Sequence, residues 1–388
     1  MSQKQNSQTR VCVLGASGYI GSHIVARLLE EGFQVAAAIR DPDDETKVAH
    51  LRALRNSENL SIFKVDILSE DSVDLTLDAV MTGCEYVIHA ASPNPVQKTL
   101  TGDAAQREVV EPLVEGIENV LSACKRAKKL KRLILTSSFA SMGDGEALKA
   151  NHTYTESDWN DTSALDTPIG AYNHAKAIAE ETAFALAKKH KIEMTAICPY
   201  AVFGPSLGPQ MSASMFGVKQ MLEGAFRNGA PAVRIGVVDV RDVAIAHVRA
   251  LTAPVAGRRF LLAANPMVSF LQVTNAIQQS NPLLYQDYPL PTQETPMWHY
   301  TANKRRMGGV LASQTIEIDT TPSEDMLDLE YRPLVETMGD AAVSAIEHGF
   351  VKEPSPVTDQ VVSLVKVGVV VLGVSGIAYY ALKHWKSK

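Results

Sequence analysis

A tyrosine and a lysine four residues apart, Tyr172 and Lys176 in AYNHAKA (171–177), are the residues of this chain best placed to do chemistry. Positions four apart on a helix share a face, so a phenol and an ammonium would enter one cleft together. A phenol alone is a poor acid–base group near neutrality, because its free pKa is about 10. A neighbouring cation favours the phenolate and brings it towards the working range. Upstream, Ser138 ends the apolar run KRLILTSS (131–138), where a hydroxyl can hydrogen-bond a carbonyl or alcohol oxygen. Ser137, beside it, is the alternative. His174 falls on another face of the helix and reads as structural.

A second group of residues would bind rather than react. VCVLG (11–15) reads as a strand and runs into Gly15-Ala16-Ser17-Gly18-Tyr19-Ile20-Gly21, after which Ile24, Val25, Leu28 and Leu29 continue at helical spacing. Gly15 permits a tight turn and Gly18 lets the backbone approach a pyrophosphate. Gly21 lets helix and strand pack closely, with phosphates at the helix N-terminus. A glycine triplet alone says little; its place between strand and helix is the context that a dinucleotide site requires. At the end of the next strand stands Arg40, 19 residues past Gly21, with Lys47 shortly after. A guanidinium there suits a ribose 2′-phosphate, whereas an NAD site places Asp or Glu at this point. Asp41 could still receive a hydroxyl, but the expectation is NADP(H).

Those residues need a scaffold, and the pattern supplies one. Short apolar runs at 11–15, 33–40, 60–67, 85–91, 131–138 and 192–199 alternate with helical stretches near 47–54, 72–80, 106–128 and 172–190. Alternation of this kind predicts an α/β fold, a Rossmann-type doubly wound parallel sheet. Glycine- and proline-rich segments after Tyr200 suggest a smaller C-terminal substrate lobe interleaved with the sheet. The expected division is a disordered stretch at 1–9, the dinucleotide domain at 10–200, the lobe at 201–350 and a linker at 351–360.

Residues 361–382, VVSLVKVGVVVLGVSGIAYYAL, hold one charge, Lys366, and no proline. As a helix they would reach roughly 33 Å, enough to cross a hydrocarbon core. Tyr379, Tyr380 and Trp385 would sit at the interface, followed by Lys383, Lys386 and Lys388. The expected partner is therefore a lipid bilayer, with the catalytic body left in the cytosol and the endoplasmic reticulum and mitochondrial outer membrane equally open. The competing reading is a buried core helix. Residues 1–10 are polar and show no secretory signal.

The 388 residues are 46% hydrophobic and 21% charged, with a net charge of -6, which gives no sign of a basic nucleic-acid-binding face. Cys12, Cys84, Cys124 and Cys198 lie far apart and form no metal-ligand spacing. They read as buried free thiols in a reducing compartment.

With these motifs quoted, the sequence resembles the extended short-chain dehydrogenase/reductases of the NAD-dependent epimerase/dehydratase superfamily. Within them it is similar to the dihydroflavonol reductase-like branch, which includes cinnamoyl-CoA reductases and fungal aldehyde and methylglyoxal reductases. The resemblance spans about 10–265 and rests also on HAASP (89–93), YTESDWN (154–160), ICPYAVFGPSLGP (197–209) and DVRDVAIAHVRAL (239–251). It implies Ser138, Tyr172 and Lys176 as the catalytic triad. Gly15, Ser17, Gly18, Tyr19, Ile20 and Gly21 would lie in the pyrophosphate loop, with Arg40 and Lys47 near the 2′-phosphate and Asp66 and Ile67 by the adenine. Ala90, Ala91 and Ser92 would run along the nicotinamide side, Lys176 would bind the nicotinamide ribose, and Pro199 and Val202 would flank the ring. Two departures stand out. Gly143 occupies the place where flavonoid reductases carry Asn, and IGAYNHAKA replaces the KNWYCYGK-type signature of cinnamoyl-CoA reductases.

The activity implied is NADPH-dependent reduction of a carbonyl, without a metal. Alternatives are a membrane-associated 3β-hydroxysteroid or sterol dehydrogenase, a nucleotide-sugar epimerase or dehydratase, and a non-catalytic NADP(H) sensor. The substrate, the physiological direction of the reaction and the oligomeric state are not inferred.

Overall fold

A computed structural model describes residues 6–69, 73–92, 100–143, 148–149, 151–295 and 316–352. The expected membrane-spanning segment and all but the first two residues of the expected linker lie outside them. Among the described residues no helix is long and apolar enough to cross a membrane.

The first half builds β1 (Arg10–Leu14), α1 (Tyr19–Glu30), β2 (Gln34–Ile39), α2 (Glu45–Arg52) and β3 (Leu60–Lys64). It continues through α3 (Val73–Met81), β4 (Tyr86–His89), α4 (Glu111–Arg126), β5 (Arg132–Thr136), α5 (Pro168–His190) and β6 (Met194–Pro199). Then come β7 (Ala201–Phe203), α6 (Ala213–Leu222), β8 (Arg234–Asp239), α7 (Val240–Ala250), β9 (Arg259–Leu262) and β10 (Ala264–Ser269). Helices α8 (Phe270–Ser280) and α9 (Leu334–Glu347) complete the elements that matter here.

Seven strands form one sheet in the order β9-β6-β5-β4-β1-β2-β3, and every pairing in it is parallel. Strand residues alternate between faces, and β1 shows what that does. Val11 and Val13 join one core with Ile24 and Leu28 of α1 and Val243 and Ala246 of α7, whereas Cys12 and Leu14 join another with Val80, Val120 and Ala175. Both faces are covered, so the strand has to be apolar throughout, which is why VCVL carries no polar residue. All four cysteines are buried and free, as their apolar neighbours implied.

Four details differ from the sequence reading. The seventh strand, β9, was not anticipated; residues 240–262 return to the main sheet after β7 and β8 have begun a second, three-stranded one. The long helix expected over 106–128 is broken at its start, with one helical turn (Gly102–Ala105) and a π-helical turn (Gln106–Val110) leading into α4. Helix α5 begins at Pro168 rather than Tyr172, because the Thr167 hydroxyl caps the Gly170 amide at 2.9 Å and proline suits the first turn. Residues 6–9 are packed rather than disordered: Asn6 donates to the Glu31 carbonyl at 2.9 Å, and Asn6 and Thr9 are buried.

The smaller lobe is carried by β8, which pairs parallel with β7 and antiparallel with β10, and by α8 packed on α9. Gly339 is what lets those helices meet, since a Cβ there would come within 2.5 Å of the Ser280 Cβ.

Candidate active site

Strands β2 and β4 flank β1, so the chain leaves β1 on one side of the sheet and returns on the other. Open α/β sheets bind ligands at that divergence, beyond the carboxyl ends of the strands. A cleft of about 700 Å³ lies there and is lined by residues of both halves of the sheet and of the following lobe.

The glycine turn forms its floor. Gly15 has φ +80°, and a Cβ on it would fall 2.6 Å from the Ala91 amide nitrogen at the end of β4. At Gly21 a Cβ would lie 2.1 Å from the Gly15 carbonyl oxygen. Gly18 is the N-cap of α1 and offers no side-chain cap, and the first turn holds no acidic residue. The amides and positive end of the helix dipole are therefore left for an anion. Tyr19 lines the cleft with Ser17 and Ile20, and its hydroxyl donates to the Gly204 carbonyl at 2.9 Å, tying the turn to the segment after β7.

Arg40, one residue beyond β2, is exposed on the cleft wall and makes no hydrogen bond or ion pair with a described residue. Asp66 and Ile67 line the same end; Asp66 accepts the Leu68 amide at 3.1 Å, and Asn119 donates to the Ile67 carbonyl at 2.9 Å. Lys47, half-exposed beside that end, pairs with Asp41 at 3.2 Å and Asp44 at 2.9 Å at the start of α2.

Across the cleft lie Ala90, Ala91 and Ser92 after β4, Pro199 ending β6, and Val202. The three expected reactive residues meet beside them. Tyr172 and Ser138 line the same end of the cleft, with Ser138 near enough to act on the phenol, and Lys176 extends to the Thr136 carbonyl at 3.5 Å. Ser138 is held by its neighbours, accepting the Ala140 amide at 3.2 Å through Oγ and the Ser141 hydroxyl at 2.7 Å through its carbonyl. The Ser137 hydroxyl instead donates away from the cleft, to buried Glu180. The geometry thus distinguishes the two serines by their partners. His174 contacts the Ser163 carbonyl at 3.2 Å, as a structural residue would.

Charge in this corner is set by burial. Burial pulls Lys176 down to about 8, against opposing pushes from Glu180 and the Cys198 thiol. Burial also raises Tyr172 above the ordinary phenol value, with Ser138 offsetting part of the rise. Lys176 is not among the groups that shift it, and Tyr172 keeps its proton at neutral pH. Behind the strand, His247 has both nitrogens engaged. Its Nδ1 faces the Val243 carbonyl at 2.7 Å and must donate, so Nε2 accepts the Thr136 hydroxyl at 2.8 Å. Burial holds this histidine down to about 4, hence neutral.

Other lining residues were not singled out by the sequence as site residues: Leu14, Thr136, Tyr200, Glu108 and residues 210–214. Glu108 comes from the π turn, a kind of irregularity that clusters at functional sites. Residues 210–214 reach the cleft because Ser212 caps α6, accepting the Met215 amide at 3.1 Å, and so aims the helix start inwards.

The profile of the NAD dependent epimerase/dehydratase family matches residues 11–263. Cinnamoyl-CoA reductase 1 of Arabidopsis thaliana is 35% identical over 284 residues, covering 73% of this chain and 77% of that one. Tetraketide alpha-pyrone reductase 1 of the same plant is 29% identical over 350 residues, 89% of this chain and 98% of that one. Among solved structures, the yeast methylglyoxal/isovaleraldehyde reductase Gre2 complexed with NADPH superimposes with a TM-score of 0.74 at 25% identity, covering 88% and 99% of the two chains.

The glycine turn yields a direct test. Gly21→Ala has to displace the Gly15 carbonyl, which is backbone with nowhere to yield. We expect a loss of about 2 kcal/mol or more in urea denaturation, from overpacking of a close backbone contact. An unchanged midpoint would mean that α1 can move off the turn freely.

Proposed function

The chain belongs to the NAD dependent epimerase/dehydratase family and is an NADP(H)-dependent oxidoreductase of carbonyl and alcohol groups; from that premise we propose that it reduces an aldehyde or ketone to an alcohol. The observation carrying the proposal is that Ser138, Tyr172 and Lys176 come together in the cleft that also holds the glycine cradle.

The residues fit the cofactor. The closed approach of Gly15 to Ala91 leaves its surface free of side chains, and the uncapped start of α1 suits a pyrophosphate. Arg40, unpaired among the described residues, suits a 2′-phosphate through paired charge-assisted hydrogen bonds. Lys47 would stand near it and engages Asp41, the carboxylate that would otherwise serve a ribose 2′-hydroxyl.

Bound there, NADPH supplies the hydride that goes to the carbonyl carbon. Ser138 and Tyr172 hold the carbonyl oxygen, and Tyr172, protonated because it is buried, gives that oxygen its proton. Lys176 holds the nicotinamide ribose hydroxyls and supplies positive charge beside Tyr172. Pro199 and Val202 wall the ring, and Ala90, Ala91 and Ser92 line its other side. In reverse, with NADP+ to take the hydride, Tyr172 as phenolate would take the hydroxyl proton and an alcohol would be oxidised. The named relatives act on quite different molecules, a cinnamoyl thioester, a tetraketide pyrone and small aldehydes, so the shared chemistry is the carbonyl rather than its substituents.

Segment 361–382 completes the proposal as a bilayer anchor, on the strength of its 22 residues with a single charge. The body would then remain in the cytosol.

Three measurements check this. Tyr172→Phe should lower kcat/KM for NADPH-driven carbonyl reduction about 1000-fold, the scale of a lost general acid, while the NADPH Kd stays within about threefold. Near-normal turnover would remove Tyr172 from the mechanism. Arg40→Ala should raise the KM for NADPH about tenfold to a hundredfold and leave NADH alone, as loss of a charge-assisted pair predicts; an equal effect on both would overturn the 2′-phosphate assignment. Finally, the full chain should sediment with membranes and resist carbonate extraction, whereas a chain ending at Lys352 should stay in the supernatant. Equal partitioning of the two would dismiss the anchor.

A further inference from the structure

Glu180 lies behind the cleft wall rather than in it, one helical turn past Lys176 on α5, and is 1% exposed. It accepts the Ser137 hydroxyl and the Nε of Arg259, the latter at 2.5 Å, while the Cys198 thiol approaches at 3.7 Å. Arg259, on β9, donates to the carbonyls of Glu156, Asp158 and Ser141, and its guanidinium carbon sits 3.7 Å from the centroid of the Trp159 ring. The Glu180 carboxylate and the Arg259 guanidinium are thus both matched.

Stability alone is a poor reason for such a pair. Removing two ions from water costs about as much as their attraction returns, and apolar residues of similar volume often do as well or better. Its position gives a better reason. Ser137 immediately precedes Ser138, so holding its hydroxyl from behind fixes the strand end that presents Ser138. Lys176 and Glu180 line one small cavity of about 20 Å³ without forming an ion pair, so the carboxylate acts on the ammonium through its field.

We propose that Glu180, held by Arg259, is a positioning residue of the reaction: it fixes Ser138 through Ser137 and keeps Lys176 charged where burial would otherwise neutralise it. The proposal rests on the reductase reading given above. The groups facing Lys176 bear it out in sign. From β4, His89 is buried and held down to about 3, hence neutral. From β6, the Cys198 thiol is pushed well above its usual range, hence also neutral. Tyr172 is raised as well. Glu180 is then the anion opposing the burial of Lys176, and Lys176 is the one of these groups that titrates just above neutrality.

The test compares the unaltered chain with Glu180→Gln and with the double variant Glu180→Gln/Arg259→Met, which removes the counter-ion too and so keeps the fold testable if the single change leaves Arg259 buried and unpaired. NADPH affinity, followed by cofactor fluorescence, should weaken at alkaline pH as Lys176 loses its proton. In both variants that limb should move to lower pH by about one unit, the scale of a charge a few ångströms away. The alkaline limb of kcat for carbonyl reduction should move with it. A limb that stays in place, with only the melting temperature lowered, would make the pair purely structural and overturn the proposal. If the unaltered chain binds NADPH but reduces no carbonyl, the reductase reading fails, yet the binding limb still decides the role of Glu180.

Discussion

The site depends on one backbone contact, the approach of the turn after β1 to the end of β4. Gly15 passes so close to Ala91 that a methyl group cannot be accommodated, and Gly21 lies equally close to Gly15. With those distances fixed, the start of α1, the wall after β4 and the C-terminal edge of the sheet form one rigid body. The other cleft groups are set relative to it. Tyr19 reaches over to the Gly204 carbonyl, and His23, one turn on, donates to the Pro205 carbonyl at 2.9 Å, so the lobe is fastened to the same turn. Its ring is kept neutral by burial, at about 4, so this fastening holds across the physiological pH range.

On that frame the electrostatics follow from burial more than from pairing. A lysine beside a tyrosine would, in water, lower the phenol. Inside this cleft desolvation acts on both groups, raising Tyr172 and lowering Lys176. The two shifts carry the phenol above the ammonium and leave the proton on the phenol at neutral pH. For reduction that is the useful arrangement, because the proton must be available when the carbonyl oxygen gains charge. Placing Glu180 one turn further along α5 limits how far Lys176 can fall.

Much of the fold was legible because parallel strands covered on both faces cannot hide their composition. VCVL, VAAAI and RLILT stand out as apolar runs, and the glycines between β1 and α1 fall where a turn and a close approach require them. That Ser138, Tyr172 and Lys176 would face one cleft was readable for the same reason, since they are tied to a strand end and to one helix face. What was missed has physical causes too. β9, RFLL, is short and begins with an arginine whose charge is satisfied inside the protein by Glu180, something no local pattern reveals. The π turn before α4 has ordinary helical composition. Residues 210–214 enter the cleft by tertiary placement, through a serine cap, and carry no periodic signal.

The division between what was readable and what was not also bears on function. Positions proposed to hold the cofactor and move the proton lie on the sheet edge and on α5, where backbone contacts leave few choices of residue. Positions that would meet the rest of a substrate, such as Met211 and its neighbours before α6, sit on a segment held by one cap and free to differ in length and side chain. A rigid reactive edge facing a variable wall can keep one chemistry while changing the molecule it acts on. The relatives named above, acting on a thioester, a pyrone and small aldehydes, are what such an arrangement would produce. It follows that substitutions on the sheet edge should alter the rate for every carbonyl alike, and that discrimination between carbonyls belongs to the wall opposite.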